Sequence, residues 1–254
     1  MIMDYKKLVD TAILAGEIML KSNAETYRVE DVMNRILGIS CLETSEAMVL
    51  TTGLFVTLDD PSITPITEVK RIRNRDTNLN NIDKVNSVTR KLTHGYLTLD
   101  EAFNELKKTE EAQYKPFIKG LGTSFFALFF TLLFGGGIFE ALVAWINGGI
   151  LVTTSKLERR INLGFFIHNV LYSLIAVLVI LIFSRFVFSD FNVNVTITGT
   201  IMPLVPGTAI TNAFRDTLRG DYLTGGARIL ESIVIALSIA VGVALGLVIG
   251  GVIR

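Results

Sequence analysis

The stretch Met202-Pro-Leu-Val-Pro-Gly-Thr-Ala-Ile-Thr211, MPLVPGTAIT, sets two prolines and a glycine inside a long apolar region. A helix tolerates those residues least at its middle. Pro206 removes an amide donor, Pro203 disturbs the preceding turn and Gly207 relaxes the chain, so a span here breaks near the bilayer midplane. The second half-helix then starts at Gly207 or Thr208, with Pro206 near its first turn and unpaired N–H groups at its positive dipole end. Such a terminus suits an anion. Thr208, Thr211, Asn212 and Arg215 follow on one face at helical spacing, a polar stripe leading away from the break. Broken helices of this kind recur in secondary transporters; the competing reading is a proline kink used only for packing.

Working outward, windows of about 20 apolar residues occur near 117–134, 138–154, 163–188, 194–213 and 229–253. Five spans put the two termini on opposite sides of a bilayer. With the N-terminus inside, the cytosolic flanks hold Lys115, Lys119, Lys156, Arg159, Arg160, Arg215, Arg219 and Arg228, against Arg185 and Arg254 outside. That asymmetry predicts a cytosolic N-terminus and an external C-terminus.

The rest of the chain is of another kind. Of the 24 Lys/Arg and 24 Asp/Glu, residues 1–115 hold 15 and 18, and residues 116–254 hold 9 and 6. The expected organisation is a small cytosolic α+β domain over 1–115 and a mainly α-helical transmembrane domain of five helices over 116–254, the fourth broken at the Pro-Gly motif. The N-terminus mixes charges with apolar residues and does not read as a secretory signal. Leu8, Ala12, Ala15 and Met19, then Val29, Val32, Met33 and Ile36, mark two amphipathic helices. Met48–Leu58 reads as a strand, and Asp59-Asp60-Pro61-Ser62 as a turn into a second strand near Thr64–Arg73. Leu79–Leu92 is helical again, and Thr98 with Glu101 forms a capping box opening a last helix.

Little in this domain suggests catalysis or nucleic-acid binding. Asp83, Glu25, Tyr27 and Arg28 are available polar groups, but there is no Ser/His/Asp order, no HExxH and no phosphate-cradling glycine loop. The basic run Lys70–Arg75 reads as a solvated strand face on a slightly acidic domain. His94, beside Gly95, suits a helix C-terminus, and Cys41 a small packed hydrophobe. One cysteine and two distant histidines, His94 and His168, give neither a disulfide nor a zinc site, so no metal or cofactor is expected.

In the apolar half, Gly135-Gly136-Gly137 pairs the first two spans tightly. Glu140 and Asn147, seven residues apart, share a face of the second span. Glu140 reads either as a functional carboxylate, a candidate for proton coupling, or as a residue wetted at the outer interface. Asn147 suits a hydrogen bond to a neighbouring helix, and His168 and Asn169 suit the interface where the third span opens. Gly242, Gly246 and Gly250 make a small-residue face for helix packing, within the chain or in a homo- or hetero-oligomer. Glu231 is placed to pair with Arg228.

The segments LAGEIMLKSNAETYRVEDVMNRI (14–36), YLTLDEAFNEL (96–106), EALVAWINGG (140–149) and MPLVPGTAITNAFRDTLRGDYLTGGARILES (202–232) together resemble the threonine/serine exporter family, ThrE, and most closely its half-length YjjP-like members. The resemblance implies a bacterial inner-membrane, proton-driven exporter of small solutes, threonine and serine in full-length members. Those members carry a second hydrophobic half that this sequence is expected to lack. The half-length members imply a small YjjB-like membrane partner and, in that pair, succinate export. Carried onto this sequence with the reading of the break, the substrate region covers Pro203, Pro206, Gly207, Thr208, Thr211, Asn212, Arg215 and Asp216, with Glu140 as possible proton carrier. An amino acid and a dicarboxylate both present a carboxylate to the half-helix. A regulatory or assembly subunit, and a hydrolase tethered by the spans, are the alternative functions.

Overall fold

The computed structural model describes residues 4–73, 75–109, 116–161, 164–186 and 191–252. Lys115 and Arg254 from the charge comparison, and the expected boundary at 115, lie outside them. Two compact units emerge: residues 1–112 with 208–230, and residues 113–207 with 231–254.

The first unit opens with α1 (Tyr5–Lys21), capped by Asp4, whose carboxylate accepts from the Lys7 amide at 3.0 Å. Asn23 in a left-handed conformation (φ 63°) turns the chain into α2 (Thr26–Leu37). Both helices bury the stripes read from their spacing, including Leu8, Ala12, Met19, Val29, Met33 and Ile36. They cover one face of an antiparallel meander, β1 (Thr44–Leu50), β2 (Gly53–Asp59) and β3 (Ile66–Arg71), in that order. Met48–Leu58 is therefore two strands rather than one. Leu50 pairs with Gly53 across Thr51-Thr52, a two-residue hairpin loop hidden in an apolar run that carries no Asn-Gly or Asp-Gly signal. Leu54, Val56 and Leu58 of β2 alternate inward. Then come α3 (Leu79–Thr93) and α4 (Leu99–Thr109). The capping box is formed: Thr98 N donates to Glu101 Oε2 at 2.8 Å, and Glu101 N to Thr98 Oγ1 at 3.3 Å. His94 ends α3 with Nδ1 2.7 Å from the Arg90 carbonyl. Cys41 is exposed rather than packed, because the left-handed turn after Ser40 (φ 53°) carries its side chain outward.

Charge placement gives this unit an acid limit. Burial pushes the Glu17 carboxyl up, but hydrogen bonds from Lys21 (2.8 Å) and Lys70 (3.2 Å) outweigh it and hold the group below its ordinary value. A carboxylate depressed in the folded state stabilises fully above its unfolded pKa, and that contribution is lost as pH falls through the folded pKa. Glu30 works in the opposite sense, its carboxyl raised mainly by burial. Glu17→Gln should therefore flatten the loss of stability on acidification, read as the urea midpoint followed from neutral pH into the carboxylate range.

The second unit contains α5 (Pro116–Leu133), α6 (Ile138–Ile161), α7 (Phe165–Phe186), α8 (Val193–Ile201) and most of α10 (Tyr222–Val252). The glycine turn joins α5 to α6, with Gly135 at φ 87° and the Gly136 amide on the Thr131 carbonyl at 2.9 Å. A Cβ at Gly148 would lie 2.5 Å from Ser124 Cα, so the α5 and α6 backbones meet directly. Val143, Val177, Ile180 and Ile197 join α6, α7 and α8 in one apolar cluster. Gly242, Gly246 and Gly250 of α10 lie against Val170, Val177 and Leu181 of α7.

Phe166–Arg185 and Tyr222–Gly251 are each long and apolar enough to cross a membrane. The broken pair Val193–Leu204 and Gly207–Leu218 makes a third if it is one span. The apolar stretches Phe117–Leu133 and Ile138–Thr154 are shorter. Phe129, Leu133, Ile138 and Val248 stand exposed on this unit, as lipid-facing residues do, since lipid rather than chain covers them.

Candidate functional site

Pro203 sits in a 3-10 turn, Met202–Leu204, that ends α8. Val205 is extended (φ −63°, ψ 126°), the conformation a following proline imposes. α9 (Gly207–Leu218) then begins immediately after Pro206. The break read from the sequence is thus present and falls at Val205-Pro206, with the Gly207 amide 2.8 Å from the Val205 carbonyl.

Within the second unit a cavity of about 420 Å³ lies beside this turn, between Met202, Pro203 and Val205 and the face of α5 formed by Lys119, Gly122, Thr123 and Phe126. Gly122 helps to open it, since a Cβ there would meet nothing within 4 Å. Thr123 donates its hydroxyl to the Lys119 carbonyl at 3.0 Å, leaving its oxygen lone pairs to accept. Lys119 brings a cation to a cavity lined by apolar side chains and one hydroxyl, a combination that favours a small anion-bearing solute. In the sequence Lys119 counts only as a flanking charge; its position one turn into an apolar helix, near a broken one, is the signal that marks it. On the other side of the break, Val205 and Pro206 face a wholly apolar cavity of about 470 Å³ against Ala236, Ala240 and Ala244 of α10.

The polar face of α9 has a different setting, inside the first unit. Asp216 and Arg228 are 0 % and 1 % exposed, and Arg228 Nε lies 3.2 Å from Asp216 Oδ2. The same carboxylate accepts from Thr26 N at 3.3 Å and Thr26 Oγ1 at 3.1 Å. Glu25, the residue preceding α2, makes no side-chain cap. Asp216 supplies that function from 190 positions away, meeting an unpaired amide at a positive helix end. Arg228 extends to Asn23 Oδ1 (3.2 Å) and the Ala24 carbonyl (2.7 Å), and Asn212 Nδ2 donates to the Asn23 carbonyl at 2.9 Å. Arg215 pairs with Glu25, which also meets Arg28 at 3.1 Å, and Arg219 stacks over the Tyr27 ring at 3.5 Å. Arg228, expected beside Glu231, has a buried partner in Asp216. Thr208 and Thr211 are exposed, Thr208 with Thr77 at 3.5 Å. The opposite face of α9 shows Ile210, Phe214 and Leu218 as an exposed apolar ridge.

Glu140, in the first turn of α6, is buried, and its Oε1 accepts from the Asn192 amide at 3.0 Å. Asn192 in turn caps α8 through Val195 N at 3.2 Å. The carboxylate therefore fixes the start of the helix that leads into the break. No group of three or more His, Cys, Asp and Glu fit to hold a metal occurs among the described residues.

Residues 10–250 match the threonine/serine exporter family, ThrE. A Mycobacterium tuberculosis protein named "Probable threonine/serine exporter" is 23% identical over 236 residues, which cover 91% of this chain and 44% of that protein. The chain thus spans less than half the length of this relative. No solved structure matches. A match running from α1 to the end of α10, across the capped helices, the glycine turn and the broken α8–α9 segment, makes the chain a member of the ThrE threonine/serine exporter family.

Proposed function

We propose that this chain is a membrane subunit of a secondary, proton-coupled exporter of threonine and serine. It crosses the inner membrane with five spans, the N-terminus in the cytosol and the C-terminus outside, and acts with a small hydrophobic YjjB-like partner. The family match supports the exporter class. The observation that carries the site is the cavity beside the Pro203–Val205 turn, where Lys119 offers a charged donor and Thr123 a hydroxyl acceptor. Lys119 holds the substrate carboxylate, and Thr123 accepts from the ammonium or hydroxyl group. Pro203, Pro206 and Gly207 keep the break open, and Thr208 and Thr211 are exposed at the start of α9. Within the first unit, Asn212, Arg215 and Asp216 tie α9 to the α1–α2 turn through their bonds to Asn23, Glu25 and Thr26. Glu140 couples protons by releasing the Asn192 amide when it is protonated, since a neutral carboxyl accepts more weakly.

Lys119→Gln tests this site. Replacing a charge-assisted hydrogen bond by a neutral one should cut threonine counterflow in proteoliposomes by about tenfold or more, with insertion unchanged. Full flux in Lys119→Gln would remove the cavity from the path. A dicarboxylate is the second substrate reading, because it too presents a carboxylate to Lys119. Succinate flux exceeding threonine flux would establish it.

A further inference from the structure

A second polar site lies within the second unit, away from the Pro-Gly break. Asn147 of α6 and Asn169 and Ser173 of α7 are at most 1 % exposed inside the helical bundle. Asn147 Oδ1, both amide atoms of Asn169 and Ser173 Oγ have no hydrogen-bond partner among the described residues. Buried polar groups are ordinarily satisfied, and one left without a partner opposes folding. Leucine or alanine would fill the same positions without that penalty, so several such groups along one helix face point to a partner supplied from outside the chain.

The helices hold these groups along one face of α7. Asn169 and Ser173 are four residues apart and stack on one face of α7, about 6 and 12 Å from its start. Asn147 meets the same helix further along: its Nδ2 donates to the Ala176 carbonyl at 3.4 Å, and Tyr172 Oη donates to its carbonyl at 3.2 Å. Gly242 of α10 closes over Ser173, where a Cβ would stand 2.8 Å from the serine Cβ and 2.4 Å from the Val170 carbonyl. Asn169 offers two donors and an acceptor, Ser173 a hydroxyl that does both, and Asn147 a further acceptor. None of the three is charged. Such a set does not select a carboxylate; it fits a hydroxyl group, which donates and accepts once each.

We infer that Asn147, Asn169 and Ser173 form a hydrated lane through the bundle that recognises the substrate's side-chain hydroxyl. This inference rests on the exporter reading and adds a basis for selectivity. A site built to hydrogen-bond a hydroxyl rejects the isostere lacking it, because its own polar groups then stay unpaired. Threonine and valine differ in this way.

The test uses the full chain with its YjjB-like partner in proteoliposomes, in a Cys41→Ser background carrying Ser173→Cys. A small water-soluble thiol reagent should label the introduced cysteine, and threonine should slow labelling about tenfold more than valine does. An unreactive thiol, or equal protection by both amino acids in vesicles that exchange threonine, would overturn the inference. Labelling reports water access whether or not the vesicles transport, so failure of the exporter reading is distinguished from failure of the lane. In transport, Asn169→Leu and the smaller change Ser173→Ala should lower the threonine-to-valine flux ratio about tenfold, with thermal midpoints at or above that of the parent. An unchanged ratio in both folded variants would also overturn it.

Discussion

Arg228→Leu is expected to destabilise the first unit by about 3–5 kcal/mol, because removing one member of a buried pair leaves the other charge without compensation. The loss is not confined to Asp216. Asn23 Oδ1 and the Ala24 carbonyl also lose their donor, so the turn between α1 and α2 is released. Arg228→Lys, which keeps the charge but not the planar fork, should fall between parent and Leu. Asp216→Leu should be as damaging as Arg228→Leu, since it also strips the Thr26 amide and hydroxyl of their acceptor. The double variant Arg228→Leu/Asp216→Leu should recover part of the loss, as an apolar pair avoids the cost of a lone buried charge. Urea midpoints of proteolytic cleavage between α1 and α2, in protein held in nanodiscs, measure all four. A change below about 1 kcal/mol in Arg228→Leu would place the pair among weak surface bridges.

Gly148→Val is expected to prevent native pairing of α5 and α6. The first carbon of any side chain there would sit 2.5 Å from Ser124 Cα, 2.9 Å from Ser124 N and 3.0 Å from the Thr123 carbonyl, all backbone atoms that cannot rotate aside. Overpacking into a flexible side chain costs about 1–3 kcal/mol; against backbone the helices must separate, and the cost is at the upper end or beyond. The sole tryptophan, Trp145 of α6, rests edge-on to Phe125 of α5 at 6.3 Å and reports the separation. Its emission should shift and its melting transition broaden in Gly148→Val. Gly122→Ala, where a Cβ meets nothing, should leave both unchanged.

These two sites differ in how far they could be read from sequence. Helical spacing placed α1 to α4, and the Thr98–Glu101 box appears as its residue types require, because both signals span only a few positions. The break at Val205-Pro206 was legible for the same reason: proline acts on its own and the preceding residue. The Thr51-Thr52 hairpin was not, since nothing in a run of β-branched residues announces a turn. Nor was the burial of Asp216 against Thr26, a pairing across 190 positions that follows from tertiary packing alone. The polar face of α9 illustrates the point. Its helical period was clear, but period does not say what the face meets, and Asn212, Arg215 and Asp216 meet the α1–α2 turn. Lys119 was visible as a charge and became a cavity residue only once Met202 and Pro203 stood opposite it.

The most direct measurement is counterflow of labelled threonine and serine in proteoliposomes holding this chain with the YjjB-like partner, under an imposed pH gradient. The account predicts gradient-dependent exchange of both amino acids that Lys119→Gln cuts by about tenfold or more. Correctly inserted, folded protein that exchanges neither of them, with or without the gradient, would contradict it.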